Sequence, residues 1–294
     1  MGKKLLVLGA SGNTGQHLVK QALERDHHVT ALVRDPAKIE IKHDKLSVEK
    51  CDVFNKEEMR PHLENAEVVL SCLGFPLQRK EPVPYYLQVA QVLSETMHEF
   101  GKRRVVFMHS WYTHPESRAR CRGFFLKNFF LPYVIGQSLN GMRLSEEYLD
   151  STDHLDYTCI QPAHLLDGPV TDKKFILNET DSCIADAAQE INRADVARYM
   201  LDVIDDESSY RKIRAIGVGV DVTDKAILTD DNHSYVPNCP IRISRADVAR
   251  YMLDVIDDEG SYRKIRAMGI EGDDSYMAVI MEQIDEFKKV IFRN

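Results

Sequence analysis

The stretch KKLLVLGASGNTGQHLV, residues 3–19, decides the fold. Its apolar run ends at Gly9, and glycines recur at Gly12 and Gly15 before a segment with helical periodicity. In a strand–turn–helix unit, such glycines let backbone amides face a pyrophosphate at the positive end of the helix dipole. The pattern favours a dinucleotide-binding turn over a tight turn without a ligand. The predicted cofactor-binding residues of this turn are Gly9, Ser11, Gly12, Asn13, Thr14 and Gly15.

Beyond this stretch, apolar runs of strand length alternate with segments of helical periodicity. Runs such as EVVLSCL and RRVVFMHS are nearly continuous in apolar residues instead of alternating with polar ones. Continuous runs are typical of parallel strands that are buried on both faces. The sequence therefore predicts an α/β fold, a doubly wound, Rossmann-like parallel sheet with helices on both faces, over residues 1–218.

The end of the second predicted strand, in HVTALVRDPAK, bears on the choice of cofactor. A carboxylate at this place suits the ribose hydroxyls of NAD, whereas a cation suits the additional phosphate of NADP. Arg34 ends the strand and Lys38 follows one helical turn later. Both residues favour NADPH, while the neighbouring Asp35 leaves NADH open as the alternative.

Composition and charge exclude several classes of protein. The chain has 294 residues, 44% of them hydrophobic, and a formal net charge of −8, which argues against a nucleic-acid backbone as the main partner. No apolar run approaches the roughly 18 residues of a membrane span, and the N-terminal run lacks a cleavage pattern, so a cytoplasmic protein is predicted. The six cysteines lack paired spacing, and the histidines lack ligand spacing, so neither disulfides nor a metal site is expected.

Six short motifs along the chain together resemble a known family. They are GASGNTG, ALVRDP, CDV at 51–53, SCLG at 71–74, HS at 109–110 and QPAH at 161–164. As an ordered set they resemble the atypical short-chain dehydrogenases/reductases, in the NAD(P)-binding group that includes biliverdin-IXβ/flavin reductase and the NmrA-like proteins. The resemblance covers residues 1 to about 218 and identifies the group better than it identifies a substrate.

The resemblance implies further cofactor-binding positions. Asp52 and Val53 would flank the adenine, and Leu73 and Gly74 would line the path to the nicotinamide ribose. Ser110 would lie beside the nicotinamide. Two residues of the QPAH motif, Pro162 and His164, would close the nicotinamide end, where His164 could hydrogen-bond the substrate or a proton-donating water.

The better-known short-chain dehydrogenases protonate an alkoxide with a Tyr that is followed four residues later by a Lys. None of the 12 tyrosines in this chain has Lys at that position. The remaining chemistry is hydride delivery to an electron-poor conjugated acceptor such as a flavin, a quinone or a biliverdin-like tetrapyrrole. Aromatic residues in 110–117 and 123–136 could form one wall of a pocket for such a small aromatic substrate, or they could pack in the hydrophobic core. Tyr112 is a second candidate for the catalytic acid. The alternative function is a non-catalytic, NmrA-like NADP(H) sensor.

The C-terminal part of the sequence contains a tandem duplication. A shift of 52 positions aligns residues 191–218 with 243–270, with four differences, and VTDK at 170 with VTDK at 222. Each copy encodes a helix, with Asn192 or Ser244 as its cap, and a strand. The predicted organisation is a reductase domain over 1–218, a duplicated unit over 219–270 that copies 170–218, and a C-terminal helix over 271–294. The first copy is assigned to the core, since its connection is shorter, and the second to the outer flank or to a homodimer interface.

Overall fold

The computed structural model describes residues 2–74, 85–118, 135–180, 182–184, 187–188 and 190–219. All of these belong to the first of two compact units, residues 1–231. The strands are β1 (Lys4–Leu8), β2 (His28–Val33), β3 (Leu46–Lys50), β4 (Val68–Ser71), β5 (Arg104–Met108), β6 (Asp156–Pro162), β7 (His164–Leu166), β8 (Phe175–Asn178), β9 (Glu190–Asn192) and β10 (Lys212–Val218). The helices are α1 (Asn13–Glu24), α2 (Lys56–Asn65), α3 (Tyr85–Glu99), α4 (Pro115–Arg118), α5 (Gly136–Ser151) and α6 (Arg193–Asp202).

The main sheet confirms the predicted Rossmann-like architecture. Its strand order, within the described part of the chain, is β3-β2-β1-β4-β5-β6-β10-β8. The strands from β3 to β10 pair in parallel, and β8 is added antiparallel to β10 at the edge. The order reverses between β1 and β4, which is where open sheets of this kind bind ligands at the carboxyl ends of their strands.

Alternate residues of the strands feed two separate hydrophobic clusters. Leu5 and Val7 of β1 pack in the cluster that includes α1 and α6. Leu6 and Leu8 of the same strand pack in the cluster that includes α2 and α3. Because successive side chains of a strand point to opposite faces, a sheet covered on both sides needs strands that are apolar throughout. This requirement explains the continuous apolar runs in the sequence.

The first copy of the duplicated unit forms part of this sheet. Its helix α6 packs against α1, and its strand β10 lies between β6 and β8. Val196, Tyr199 and Met200 recur at helical spacing on α6 and are buried. Asn192 occupies the cap position but makes no capping bond with its side chain, because its amide donates to the Pro169 carbonyl at 3.0 Å. The prediction that Asn192 caps the helix is therefore right for its position and wrong for its side-chain hydrogen bond.

Arg104 connects β5 to the first copy. Its buried guanidinium donates to the carbonyl oxygens of Val203 and Ile204 at the end of α6, and to the hydroxyl of Ser209. Burial lowers the pKa of Arg104 to about 10, so the group stays charged at neutral pH. A cation at a helix C-terminus is favourable because the last carbonyls carry partial negative charge. This contact fixes α6 to the sheet.

Several expectations concern residues outside this description. The second copy (219–270), the terminal segment (271–294) and most of the aromatic segment 123–136 lie outside the described residues. The four cysteines that are described, Cys51, Cys72, Cys159 and Cys183, are buried. None of the helices in the described part combines the length and apolarity of a membrane span.

A chain that ends after Gly219 is expected to fold and to bind NADPH, because it retains every strand of the main sheet and the contacts of Arg104. Circular dichroism and a cofactor titration measure this. The matched variant deletes residues 171–222, which brings the second copy into register with the same upstream chain. An unfolded truncation together with a folded, cofactor-binding deletion variant would assign the core position to the second copy.

Candidate functional site

The glycine turn between β1 and α1 has the shape that a bound pyrophosphate requires. Gly9 has φ of +74°, a conformation that side chains disfavour, and its carbonyl accepts a 2.9 Å bond from the Gly12 amide. Gly12 is the N-cap residue of α1 and has no side chain that could accept hydrogen bonds. The first amides of the helix are therefore left for a ligand. A Cβ at Gly15 would lie 2.2 Å from the Gly9 carbonyl oxygen, so only glycine lets the helix approach so closely.

The other residues of the turn differ in accessibility. Asn13 is exposed and Ser11 is half-buried, so both can reach a ligand with their side chains. Thr14 is buried, and it can contribute its backbone amide only. A helix N-terminus with free amides and no side chain in front of Gly12 fits a pyrophosphate well.

The adenosine side of the predicted site lies at the ends of β2 and β3. Arg34 and Lys38 are exposed, and Arg34 makes no hydrogen bond or ion pair within the described part of the chain. The Asp35 carboxylate accepts from the Ala37 amide at 3.2 Å and caps the short 3-10 turn at Pro36–Lys38. Asp35 thus has a local structural partner, whereas the side chains of Arg34 and Lys38 have none among the described residues. Asp52 is exposed after β3, and Val53 is half-buried beside it.

The nicotinamide side of the predicted site lies at the ends of β4, β5 and β6. Leu73 is half-buried and Gly74 exposed after β4, while Ser110 is half-buried two residues after β5. Pro162 is the buried last residue of β6. His164 is the exposed first residue of β7, which pairs with β9. The short strand forms because the chain continues extended beyond β6 and finds a partner in Glu190–Asn192.

Tyr112 lies in the loop that follows Ser110. It has φ of +64°, and its amide donates to the Ser182 carbonyl at 3.0 Å. Its ring packs edge-on against buried Trp111 and contacts the hydrophobic core. These contacts give Tyr112 a structural role in shaping the loop.

A buried carboxylate that the sequence reasoning missed lies beneath this loop. Glu146 of α5 is completely buried, and its Oε1 accepts from His109 Nδ1 at 2.7 Å and from Gln161 Nε2 at 2.8 Å. Its Oε2 lies 3.2 Å from Nε2 of His114, an ion-pair distance without hydrogen-bond geometry. His114 therefore faces a buried charge.

One signal in the sequence could have identified Glu146. The residues of α5 that face the core recur at helical spacing: Leu139, Met142, Glu146 and Leu149. A carboxylate within such an apolar stripe costs free energy unless donors surround it. The donors come from β5, β6 and the following loop, and their approach depends on the tertiary fold.

The electrostatics of the cluster follow from these contacts. Burial alone would raise the pKa of Glu146, but the hydrogen bonds from His109 and Gln161 and the close contact with the His114 imidazole outweigh burial and lower it. The contact with Glu146 raises the pKa of His114 above its ordinary value, against the opposing effect of burial. Glu146 is therefore ionised, and its charge favours the protonated form of His114.

The same cluster has a composition that can bind metals. Ligand atoms of His109, Glu146 and Cys159 lie within 4.8 Å of one another. However, His109 and Glu146 bond directly to each other, and burial raises the pKa of the Cys159 thiol well above its ordinary value. A neutral thiol beside a closed hydrogen-bonded pair favours a polar network over a metal centre.

Sheet order, the glycine turn and the free helix N-terminus define a Rossmann-like, nucleotide-binding protein. The model of the NAD(P)H-binding family matches residues 9–207. Since this match covers more than half of the chain, the protein belongs to the NAD(P)H-binding family. The resemblance seen in the motifs is thereby confirmed at the level of the family.

Individual relatives share less than a third of their residues with this chain. YwnB of Bacillus subtilis (strain 168) is 27% identical over 207 residues, which cover 69% of this chain and 92% of YwnB. The oxidoreductase ylbE from Lactococcus lactis has a TM-score of 0.60 at 19% identity, over 79% of this chain and 100% of that one. ChuY, an anaerobilin reductase from Escherichia coli O157:H7, has a TM-score of 0.60 at 18% identity, over 74% and 98% of the two chains. These solved structures share the fold with this protein.

Replacement of Gly15 by Ala is expected to lower the free energy of unfolding by about 1 to 3 kcal/mol and to weaken cofactor binding, because the new Cβ pushes α1 away from the Gly9 carbonyl. Thermal melting and a cofactor titration measure the two effects. Gly219→Ala is the matched control, since no atom lies within 4 Å of its Cβ position and Gly219 is not among the predicted cofactor-binding residues. Equal stability of the two variants would contradict the close-approach argument.

Proposed function

We propose that this protein is an NADPH-dependent reductase of electron-poor conjugated acceptors of the flavin, quinone or biliverdin-like class. Membership of the NAD(P)H-binding family supports a nicotinamide cofactor. The observation that carries the proposal is the composition of the carboxyl edge of the sheet. Ser110 and His164 lie there, whereas the Tyr–Lys pair of carbonyl-reducing relatives is absent from the sequence.

NADPH, when bound, supplies a hydride from C4 of its nicotinamide. The chain's contribution is to bind and orient. The amides at the start of α1 would hold the pyrophosphate, and Arg34 would hold the additional phosphate of NADPH. Ser110 would orient the reacting end, and His164 would hydrogen-bond the acceptor. Such a site provides alignment without the Tyr–Lys acid of carbonyl-reducing relatives, and an electron-poor acceptor depends less on acid catalysis than an isolated ketone does.

The structural neighbour ChuY supports the tetrapyrrole branch of this proposal. ChuY is an anaerobilin reductase, and its fold matches this chain at a TM-score of 0.60. At 18% identity, the likeness concerns the fold, so the acceptor class for this chain rests on the missing Tyr–Lys pair. Fold alone does not determine substrate, because the same sheet supports many chemistries.

NADPH is expected to bind more tightly than NADH, and Arg34→Ala should remove most of this preference. A bond between a guanidinium and a phosphate contributes about 1.5 to 3 kcal/mol, which corresponds to roughly tenfold to hundredfold in Kd. Isothermal titration of both cofactors measures the preference. Lys20→Ala removes an equal charge from the exposed face of α1 and serves as the control. Equal affinities in the unmutated protein would rule out the assigned role of Arg34.

The purified protein with NADPH is expected to reduce at least one acceptor among FMN, a quinone and biliverdin, and to leave simple alcohols and isolated ketones unchanged. The loss of NADPH absorbance across this panel measures the activity. Tight cofactor binding without turnover of any acceptor would instead favour a non-catalytic NADP(H) sensor. Such a sensor would retain the glycine turn and Arg34 and would not depend on Ser110.

A further inference from the structure

The segment His109–Arg118, which follows β5 and ends with α4, contacts both carboxylate oxygens of one residue of α5. His109, at the end of β5, bonds to Oε1 of Glu146, and His114, farther along the loop, faces Oε2 at 3.2 Å. The side chain of His114 is 37% exposed, whereas Glu146 is fully buried. One buried charge thus holds an imidazole that can reach solvent.

Backbone contacts fix His114 relative to Ser110. The Thr113 hydroxyl donates to the Ser110 carbonyl at 2.6 Å, which closes the turn between them. The His114 amide donates to the Ser182 hydroxyl at 3.2 Å. Arg118 donates to the carbonyls of Tyr112 at 2.8 Å and Thr113 at 3.1 Å. The imidazole therefore belongs to an ordered loop that begins at the predicted nicotinamide end of the site.

The cost of burying Glu146 also indicates a role beyond packing. An ionised carboxylate in an apolar stripe destabilises a fold unless it is paired and hydrogen-bonded. Two donors, His109 and Gln161, satisfy Oε1, while Oε2 is buried and has no fully formed hydrogen bond in the described part of the chain. The only charged group that the structure brings to Oε2, among the described residues, is the His114 imidazole.

We propose that His114 is the general acid of the reductase, with Glu146 as the positioning residue that fixes the orientation of its imidazole through Nε2. This inference rests on the proposed function. Hydride transfer adds two electrons and one hydrogen to the acceptor and oxidises NADPH to NADP⁺. The N–H bond at Nδ1 of the His114 imidazolium then breaks, and its proton forms an O–H or N–H bond on the reduced acceptor. Nε2 stays directed at Glu146, and water restores the proton.

The charges around His114 support its protonated form. Glu146 from α5 is the largest influence, and Glu116 of α4 also favours the cation. Arg143 of α5 opposes it. His109 contacts the other oxygen of the carboxylate, Oε1. Arg118 is the last residue of α4 and donates to the Tyr112 carbonyl. The sum raises the pKa of His114, so at neutral pH it retains a larger protonated fraction than an ordinary histidine.

The first test measures the coupling of His114 to Glu146 without any acceptor. An NMR titration of the imidazole signals follows His114, which is assigned by the loss of its signal in His114→Gln. In the Glu146→Gln variant the pKa of His114 is expected to fall toward or below the ordinary value of 6.5, because the charge is removed while an amide remains. An unchanged His114 titration would overturn the positioning role of Glu146.

The second test measures how turnover depends on pH. In the unmutated protein, kcat/KM is expected to fall as pH rises through the pKa of His114, since the acid is then deprotonated. Glu146→Gln should move this limb to lower pH, and His114→Gln should remove it and reduce kcat by about a hundredfold, the lower end of what general acids contribute. His43→Gln, an exposed histidine beside Asp44 at the opposite edge of the sheet, is the control.

The outcomes separate the two proposals. No turnover in the unmutated protein would overturn the proposed reductase and the acid role together. Turnover with an unchanged pH profile in His114→Gln would overturn the acid role alone. In His114→Gln, a rise in KM for FMN but not for riboflavin, with kcat unchanged, would identify His114 as a phosphate contact. This result would also overturn the acid role.

Discussion

The close approach of α1 to the end of β1 is the constraint on which the rest of the site depends. A Cβ at Gly15 would lie 2.2 Å from the Gly9 carbonyl oxygen, so the helix can begin against the strand only because that atom is missing. This contact directs the first amides of α1 toward the carboxyl edge of the sheet, where β4, β5 and β6 also end. Cofactor-binding and candidate reacting groups are thereby gathered at one edge.

The same edge contains an electrostatic arrangement of a different kind. Glu146 occupies an apolar stripe of α5, and donors from β5, β6 and the connecting loop compensate its charge. The proposed cofactor half of the site would use backbone amides and an exposed guanidinium, whereas this half consists of buried side chains. A buried polar network is rigid when its groups are hydrogen-bonded. This network holds the half-exposed imidazole of His114 in place.

The duplicated segment shows how a repeated sequence meets a single structural position. The first copy supplies α6 and β10, and Arg104 holds the end of α6 through main-chain carbonyls and the Ser209 hydroxyl. The second copy retains a serine at the equivalent place, Ser261, and it differs from the first at four of 28 aligned positions. The residues that make the first copy fit are thus present twice, which makes the paired truncation and deletion variants informative.

The sequence by itself determined the parallel α/β sheet, the glycine turn and the cationic end of β2, because these features depend on local periodicity and on residues that are neighbours in the chain. Strand-length apolar runs and Gly9, Gly12 and Gly15 carry that information without reference to distant residues. The tertiary structure alone brought His109, His114, Glu146 and Gln161 together, since they come from β5, α5, β6 and a loop. It also assigned Asp35 to a local cap and His164 to a strand, because the partners that decide these roles become neighbours only in the folded chain.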